Sequence, residues 1–155
     1  MYTHLPHASL ALSTDLVIYT TRLVRSLRRT HDVPAGARVL SLLDEHGPLG
    51  ITHLAKLDRC SQPTMSAAVA HLVDDGLVVK DPNPLDARGS VVSLTGEGRN
   101  SLARLRDAYA TTISERLRAH NRTQEELATA VAVLRDLLEP GPLEGTETGI
   151  PTERT

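Results

Sequence analysis

The 155-residue sequence has little of several things: one cysteine, three tyrosines, no phenylalanine and no tryptophan. A lone Cys60 excludes an internal disulfide and points to a reducing compartment, the cytoplasm. So few aromatic rings cannot build a stacking platform for single-stranded nucleic acid. No apolar run approaches the ~20 residues of a membrane-spanning helix, so no membrane partner is expected. Met1 to Leu10 lack a basic patch ahead of an apolar block, so no signal peptide is expected either. Nor is there a surplus of positive charge, since 17 Lys and Arg stand against 19 Asp and Glu. A nucleic-acid partner must be argued from architecture instead. The seven histidines show no ligand spacing, so neither a metal nor a cofactor is expected. No nucleophile elbow, phosphate loop or paired ligand set is present, so no catalytic residue is expected.

What the sequence does have is helical periodicity. The length suits one domain with a real core, and 40% of the residues are hydrophobic. From Ser9 to Arg29, Leu12, Leu16, Tyr19, Leu23 and Leu27 fall on one helix face, with Ser9 or Ser13 as N-cap. Leu10, Val17, Ile18 and Val24 widen that stripe, which predicts burial against more than one surface. After Asp32–Gly36 a shorter helix carries Val39, Leu40, Leu42 and Leu43 and ends at His46-Gly47-Pro48. Gly50-Ile51-Thr52 reads as a short extended piece and a cap. His53–Asp58 supplies two helical turns. Ser61 then caps a helix from Gln62 to about Asp75, with Pro63 in its first turn and Met65, Val69, Leu72 and Val73 facing inward. Leu77–Lys80 and Ser90–Leu94 read as strands joined by a long tip, Asp81–Gly89. A long helix from Thr95 carries Leu102, Leu105, Tyr109, Ile113 and Leu117. Thr123-Gln124-Glu125-Glu126 is a capping box for a last helix through Leu138. Pro140 to Thr155 has the composition of a disordered tail.

Three short helices followed by a hairpin give the order of a winged helix-turn-helix, so the expected fold class is mainly α with a small β-hairpin wing. In such pairs the second helix fits the DNA major groove. Its outward residues are Gln62, Thr64, Ser66, Ala67, Ala70 and His71, with Pro63 in the first turn. They are small or hydrogen-bonding, whereas a merely solvated face would carry more Lys and Glu.

At these residues the sequence resembles the MarR-type transcription regulators. The resemblance rests on Leu54-Ala55, Ser61–Ser66 and Leu72 with Gly76-Leu77-Val78. Its most specific part is Asp86-Ala87-Arg88 followed by Val92-Ser93-Leu94-Thr95-Gly96-Glu97-Gly98, similar to the family's D-x-R…V-x-L-T-x-x-G wing signature. The resemblance implies an obligate homodimer on a pseudo-palindromic, double-stranded operator, acting as a repressor that a small-molecule effector releases. It implies dimerisation helices at 9–31 and 99–139 around a DNA-binding lobe at 35–98, with 140–155 as tail. Arg88 would enter the minor groove, and Asp86 would hold the wing or the arginine. The effector cleft would draw on Tyr19, Arg22, Val39 and Tyr109.

The chain departs from the family pattern in its charge. Between Ile51 and Asn100, five Lys and Arg (Lys56, Arg59, Lys80, Arg88, Arg99) face six Asp and Glu (Asp58, Asp74, Asp75, Asp81, Asp86, Glu97). That balance predicts few phosphate contacts and a shallow salt slope. It also supports an alternative, a winged-helix interaction module that has lost DNA binding. Cys60 lies near Lys56 and Arg59, which could lower its pKa, but a buried structural thiol is the expectation.

Overall fold

A computed structural model of the protein describes residues 7–139, apart from the side chains of His7, Ala8, Ala87 and Arg88. The expected tail at 140–155 lies outside the described residues. Helix α1 (His7–Thr30) begins ahead of both serines expected to cap it. Ser13 is instead an interior residue whose hydroxyl donates to the Ser9 carbonyl at 2.8 Å. Of its wide apolar stripe only Leu27 is fully buried, at 4% exposure, while Leu12 remains 70% exposed.

Gly36 then turns the chain with φ 80° into α2 (Ala37–His46). A Cβ there would come within 2.8 Å of the Leu72 side chain, so the position needs glycine for space as well as for backbone. Strand β1 (Leu49–Gly50) leads into α3 (Ile51–Asp58), which stops at Arg59 in the left-handed conformation, φ 55°. Helix α4 (Gln62–Asp74) starts on the expected Ser61 cap, whose side chain accepts from the Thr64 N–H.

Strands β2 (Val78–Asn83) and β3 (Asp86–Leu94) pair antiparallel, and β1 joins them on the far side of β3, giving the order β1-β3-β2. Two expectations are corrected here. The hairpin has a third strand, with Leu49 opposite Val92 and Gly50 opposite Val91. The tip is also short, because the strands continue through the polar segment to a turn at Pro84-Leu85. Pro82 is tolerated because β2 is an edge strand and the register shifts between Pro82 and Asn83. Asn83 closes the turn by accepting the Leu85 N–H on its side-chain oxygen at 2.9 Å.

The core of this lobe gathers Val39, Leu40 and Leu43 of α2, Leu54 and Ala55 of α3, and Met65, Val69 and Leu72 of α4 against Val78 and Val92. Each fully buried Leu or Val stabilises by ~1.5–3 kcal/mol. Val73, expected among the inward residues, is exposed because the helix turns it past the core.

Helix α5 (Gly96–Ala119) and helix α6 (Gln124–Leu138) complete the described chain. The chain divides into two compact units, one ending at Ile113 and one beginning at Ser114, with α5 running through the boundary. In the second unit the capping box forms as expected, Thr123 and Glu126 each accepting the other's backbone N–H. Val131, Leu134 and Leu138 of α6 are exposed.

Candidate nucleic-acid interface

The turn Arg59–Ser61 fixes how α4 leaves α3. Cys60 N–H donates to the Ala55 carbonyl at 3.0 Å, and Ser61 Oγ accepts from Thr64 N–H at 3.2 Å while lying 2.7 Å from Thr64 Oγ1. With Met65, Val69 and Leu72 pinned in the core, the opposite face of α4 is set. Gln62, Pro63, Thr64, Ser66, Ala67, Ala70 and His71 all lie at the surface. Gln62 is also steadied from the side, its Nε2 donating to Thr52 Oγ1 of α3 at 3.1 Å.

Between this helix and the wing runs a concave surface of about 430 Å³, lined by Thr52, Gln62, Ser66, Lys80, Asn83 and Ser90, with Gly50 and Gly89 as bare backbone. Hydroxyls, amides and one cation along a groove can donate hydrogen bonds to phosphate oxygens. Thr52, Lys80, Asn83 and Ser90 were not legible as site residues in the sequence. Lys80 carried a signal, being the sole cation between Arg59 and Arg88.

The wing residues sit on β3 and not at the apex of a long loop. Asp86 opens the strand opposite Asn83 and is exposed. Arg88 follows two residues later, and its side chain lies outside the described residues. The rest of the wing signature has a structural task. Thr95 Oγ1 donates to the Gly76 carbonyl at 2.7 Å and accepts from Gly98 N–H at 2.9 Å, and Thr95 N–H donates to the Leu77 carbonyl at 3.1 Å. A single threonine thus ties the end of β3 to the end of α4 and caps α5. Gly98 lies so close to Leu77 that a Cβ would collide with its carbonyl oxygen.

Cys60 is half-buried against the lobe core. Burial pushes its thiol up, and Asp58 beside it pushes the same way, against a smaller opposing effect from Arg38. Lys56 and Arg59 do not activate it. It is a thiol with a packing role.

The four residues expected around an effector cleft lie on α1, α2 and α5. Val39, at 3% exposure, packs in the lobe core. Tyr19 and Arg22 are exposed on α1. Tyr109 is half-buried and meets the His31 ring edge-on at 5.4 Å, while His31 Nε2 lies 2.7 Å from Thr112 Oγ1. Beside that pair is a cavity of about 300 Å³ bordered by His31, Asp32, Pro34, Ser101, Arg104 and Leu105. Among the described residues no group of three or more His, Cys, Asp or Glu could hold a metal, and no helix is long and apolar enough to cross a membrane.

Comparison with known proteins agrees with this geometry. Residues 34–90, the span from α2 into β3, match the MarR family. The uncharacterised HTH-type transcriptional regulator Mb0904 of Mycobacterium bovis is 32% identical over 127 residues, 79% of this chain and 89% of that protein. The Mycobacterium leprae regulator ML2140 is 30% identical over 136 residues, 84% of this chain and 95% of its own. Among solved structures, a mutant Escherichia coli MarR complexed with operator DNA shares the fold with a TM-score of 0.55 at 22% identity, over 88% of this chain and all of that one. With the capped helix pair, the wing and the threonine anchor all in place, the chain belongs to the MarR family of HTH-type transcription regulators.

Proposed function

We propose that this regulator works as a cytoplasmic homodimer that binds double-stranded DNA at a pseudo-palindromic operator, represses transcription there and is released by a small-molecule effector. The single observation that carries the reading is the exposed face of α4, small and hydrogen-bonding, lying along a groove that Lys80 and the wing close on the other side. In this reading Gln62, Thr64 and Ser66 reach base edges, while Pro63, Ala67, Ala70 and His71 let the helix sit deep in the major groove. Thr52, Lys80, Asn83 and Ser90 hold the phosphate backbone. Arg88 enters the minor groove, and Asp86 steadies the wing.

The dimer is supported by Leu10, Leu12, Val17 and Tyr19, which are large, apolar or aromatic, and exposed on a single chain. Two subunits would space two α4 helices about one DNA turn apart. Release by an effector is supported by the cavity between the segment following α1, at His31–Pro34, and α5. Repression follows if the occupied operator overlaps a promoter.

The acidic balance of residues 51–100 favours a second reading, an interaction module with weak or lost DNA binding. A gel-shift titration with random genomic fragments at low and moderate salt separates the two. Retarded complexes that weaken with salt support the regulator, and no complex at low salt supports the module. Sedimentation at micromolar concentration tests the assembly, a dimer being expected and a folded monomer refuting it.

A further inference from the structure

The positive charge missing from residues 51–100 is found just ahead of them in the chain. Residues 22–38 carry five arginines (Arg22, Arg25, Arg28, Arg29 and Arg38) against a single acid, Asp32. The cations are all arginine, whose planar fork suits phosphate better than a lysine point charge. Arg25 and Arg28, on one side of α1, meet Arg38 at the start of α2 across a concave surface of about 500 Å³, which Thr20, Thr21 and Val24 complete. Thr20 and Thr21 donate their hydroxyl hydrogens to carbonyls of the preceding turn, so the oxygens present lone pairs and the positive character of the groove comes from the guanidinium groups.

The groove is anchored to the helix-turn-helix. Arg38 pairs with Asp58, the last residue of α3, and the three-residue turn to α4 begins directly after it. The Arg38 side chain remains 57% exposed despite this pair. Among the described residues neither Arg25 nor Arg28 makes an ion pair. A structural role would pair Arg25 and Arg28 with nearby carboxylates, as Asp58 pairs with Arg38. Here like charges converge, which costs stability in the free protein unless an anion neutralises them.

We infer that the groove between the end of α1 and the start of α2, with Arg25, Arg28 and Arg38 at its rim, is a phosphate-binding surface for the backbone of duplex DNA beyond the bases read by α4. The inference rests on the DNA-binding reading above and extends the footprint of each subunit past the recognition helix and wing. It resolves the charge deficit of the lobe. The lobe supplies sequence readout with few cations, and the arginine groove supplies the salt-dependent, sequence-independent part of the affinity.

Fluorescence anisotropy of the full chain on a bound genomic fragment, repeated over a range of salt concentrations, tests this. The Arg25→Gln/Arg28→Gln variant should bind more weakly at every salt concentration. Because each of the two subunits then lacks two phosphate-neutralising cations, its log–log salt slope should be shallower by about three to four. Base preference should not change. Arg118→Gln/Arg135→Gln removes the same net charge from α5 and α6 and should keep the wild-type slope. A wild-type slope in the Arg25/Arg28 variant overturns the inference, and so does an equal loss of slope in the α5/α6 control. Circular dichroism checks folding, and the single variant Arg25→Gln, expected to lose about half as much slope, repeats the test if the double variant does not fold. Should the wild-type chain bind no fragment at all, the DNA-binding reading itself fails, a result distinct from an unchanged slope.

Discussion

Gln62 and Thr52 are joined by a 3.1 Å hydrogen bond from the glutamine amide to the threonine hydroxyl, bridging the first turns of α4 and α3. The bond fixes the direction of a side chain that can pair with adenine through both its amide nitrogen and its amide oxygen. Gln62→Ala should therefore relax preference at one base position per half-site by ~1–3 kcal/mol. Thr52→Ala should blur the same position by less, because the amide loses its anchor but keeps its reach. Unchanged base preference in both variants would move the readout to Thr64 or Ser66.

The wing arginine gives a second expectation. Surface ion pairs contribute only ~0–1 kcal/mol, so Arg88→Ala should leave the melting temperature almost unchanged. DNA affinity should fall sharply, and the salt slope of a dimer should become shallower by about two. Asp86→Ala should weaken binding less. Loss of folding with affinity per folded dimer intact would make the motif structural.

Gly98 should be intolerant of any side chain. A Cβ there would run into the Leu77 carbonyl, which is backbone and cannot rotate away. Gly98→Ala should cost ~1–3 kcal/mol of stability, the usual range for overpacking, and lower the melting temperature by several degrees. A melting temperature equal to wild type would show that the β3–α5 junction is looser than the Thr95 hydrogen bonds indicate.

These same residues mark how far sequence alone reaches. The α4 face is legible because Ser61 caps the helix and three core residues fix its rotation, and the six outward residues are all exposed, as is Pro63 in the first turn. The V-x-L-T-x-x-G stretch is legible as a motif but not as a device. Thr95 bonds to Gly76 and Leu77, and no local pattern encodes a contact nearly twenty residues back in the chain. The wing tip reads as a long loop because Asp, Pro and Asn are turn formers, whereas an edge strand next to a register shift accommodates Pro82. Val39 is taken into the lobe core, a place open to any apolar residue near a helix start. Only the packing of α3 and α4 decides it.

The capping box of α6 predicts an acid-sensitive step. The Thr123 backbone N–H, and then Arg122, hold the Glu126 carboxyl below the usual carboxylate range. A carboxyl depressed in the folded state stabilises it above the ordinary Glu pKa of about 4.3, and that contribution is lost as pH falls through the depressed value. Helicity followed by circular dichroism should decline on acidification, and Glu126→Gln should flatten the part of the decline that Glu126 causes. Identical acid profiles for variant and wild type would assign the titration elsewhere.

A selection from random DNA duplexes tests whether the regulator binds a specific sequence as a symmetric dimer. The expected result is an enriched pseudo-palindrome whose half-sites lie about one helical turn, ~10 base pairs, apart, with the Gln62→Ala variant selecting a site degenerate at one position in each half. A selection that enriches no motif, or enriches a single unpaired half-site, would contradict it.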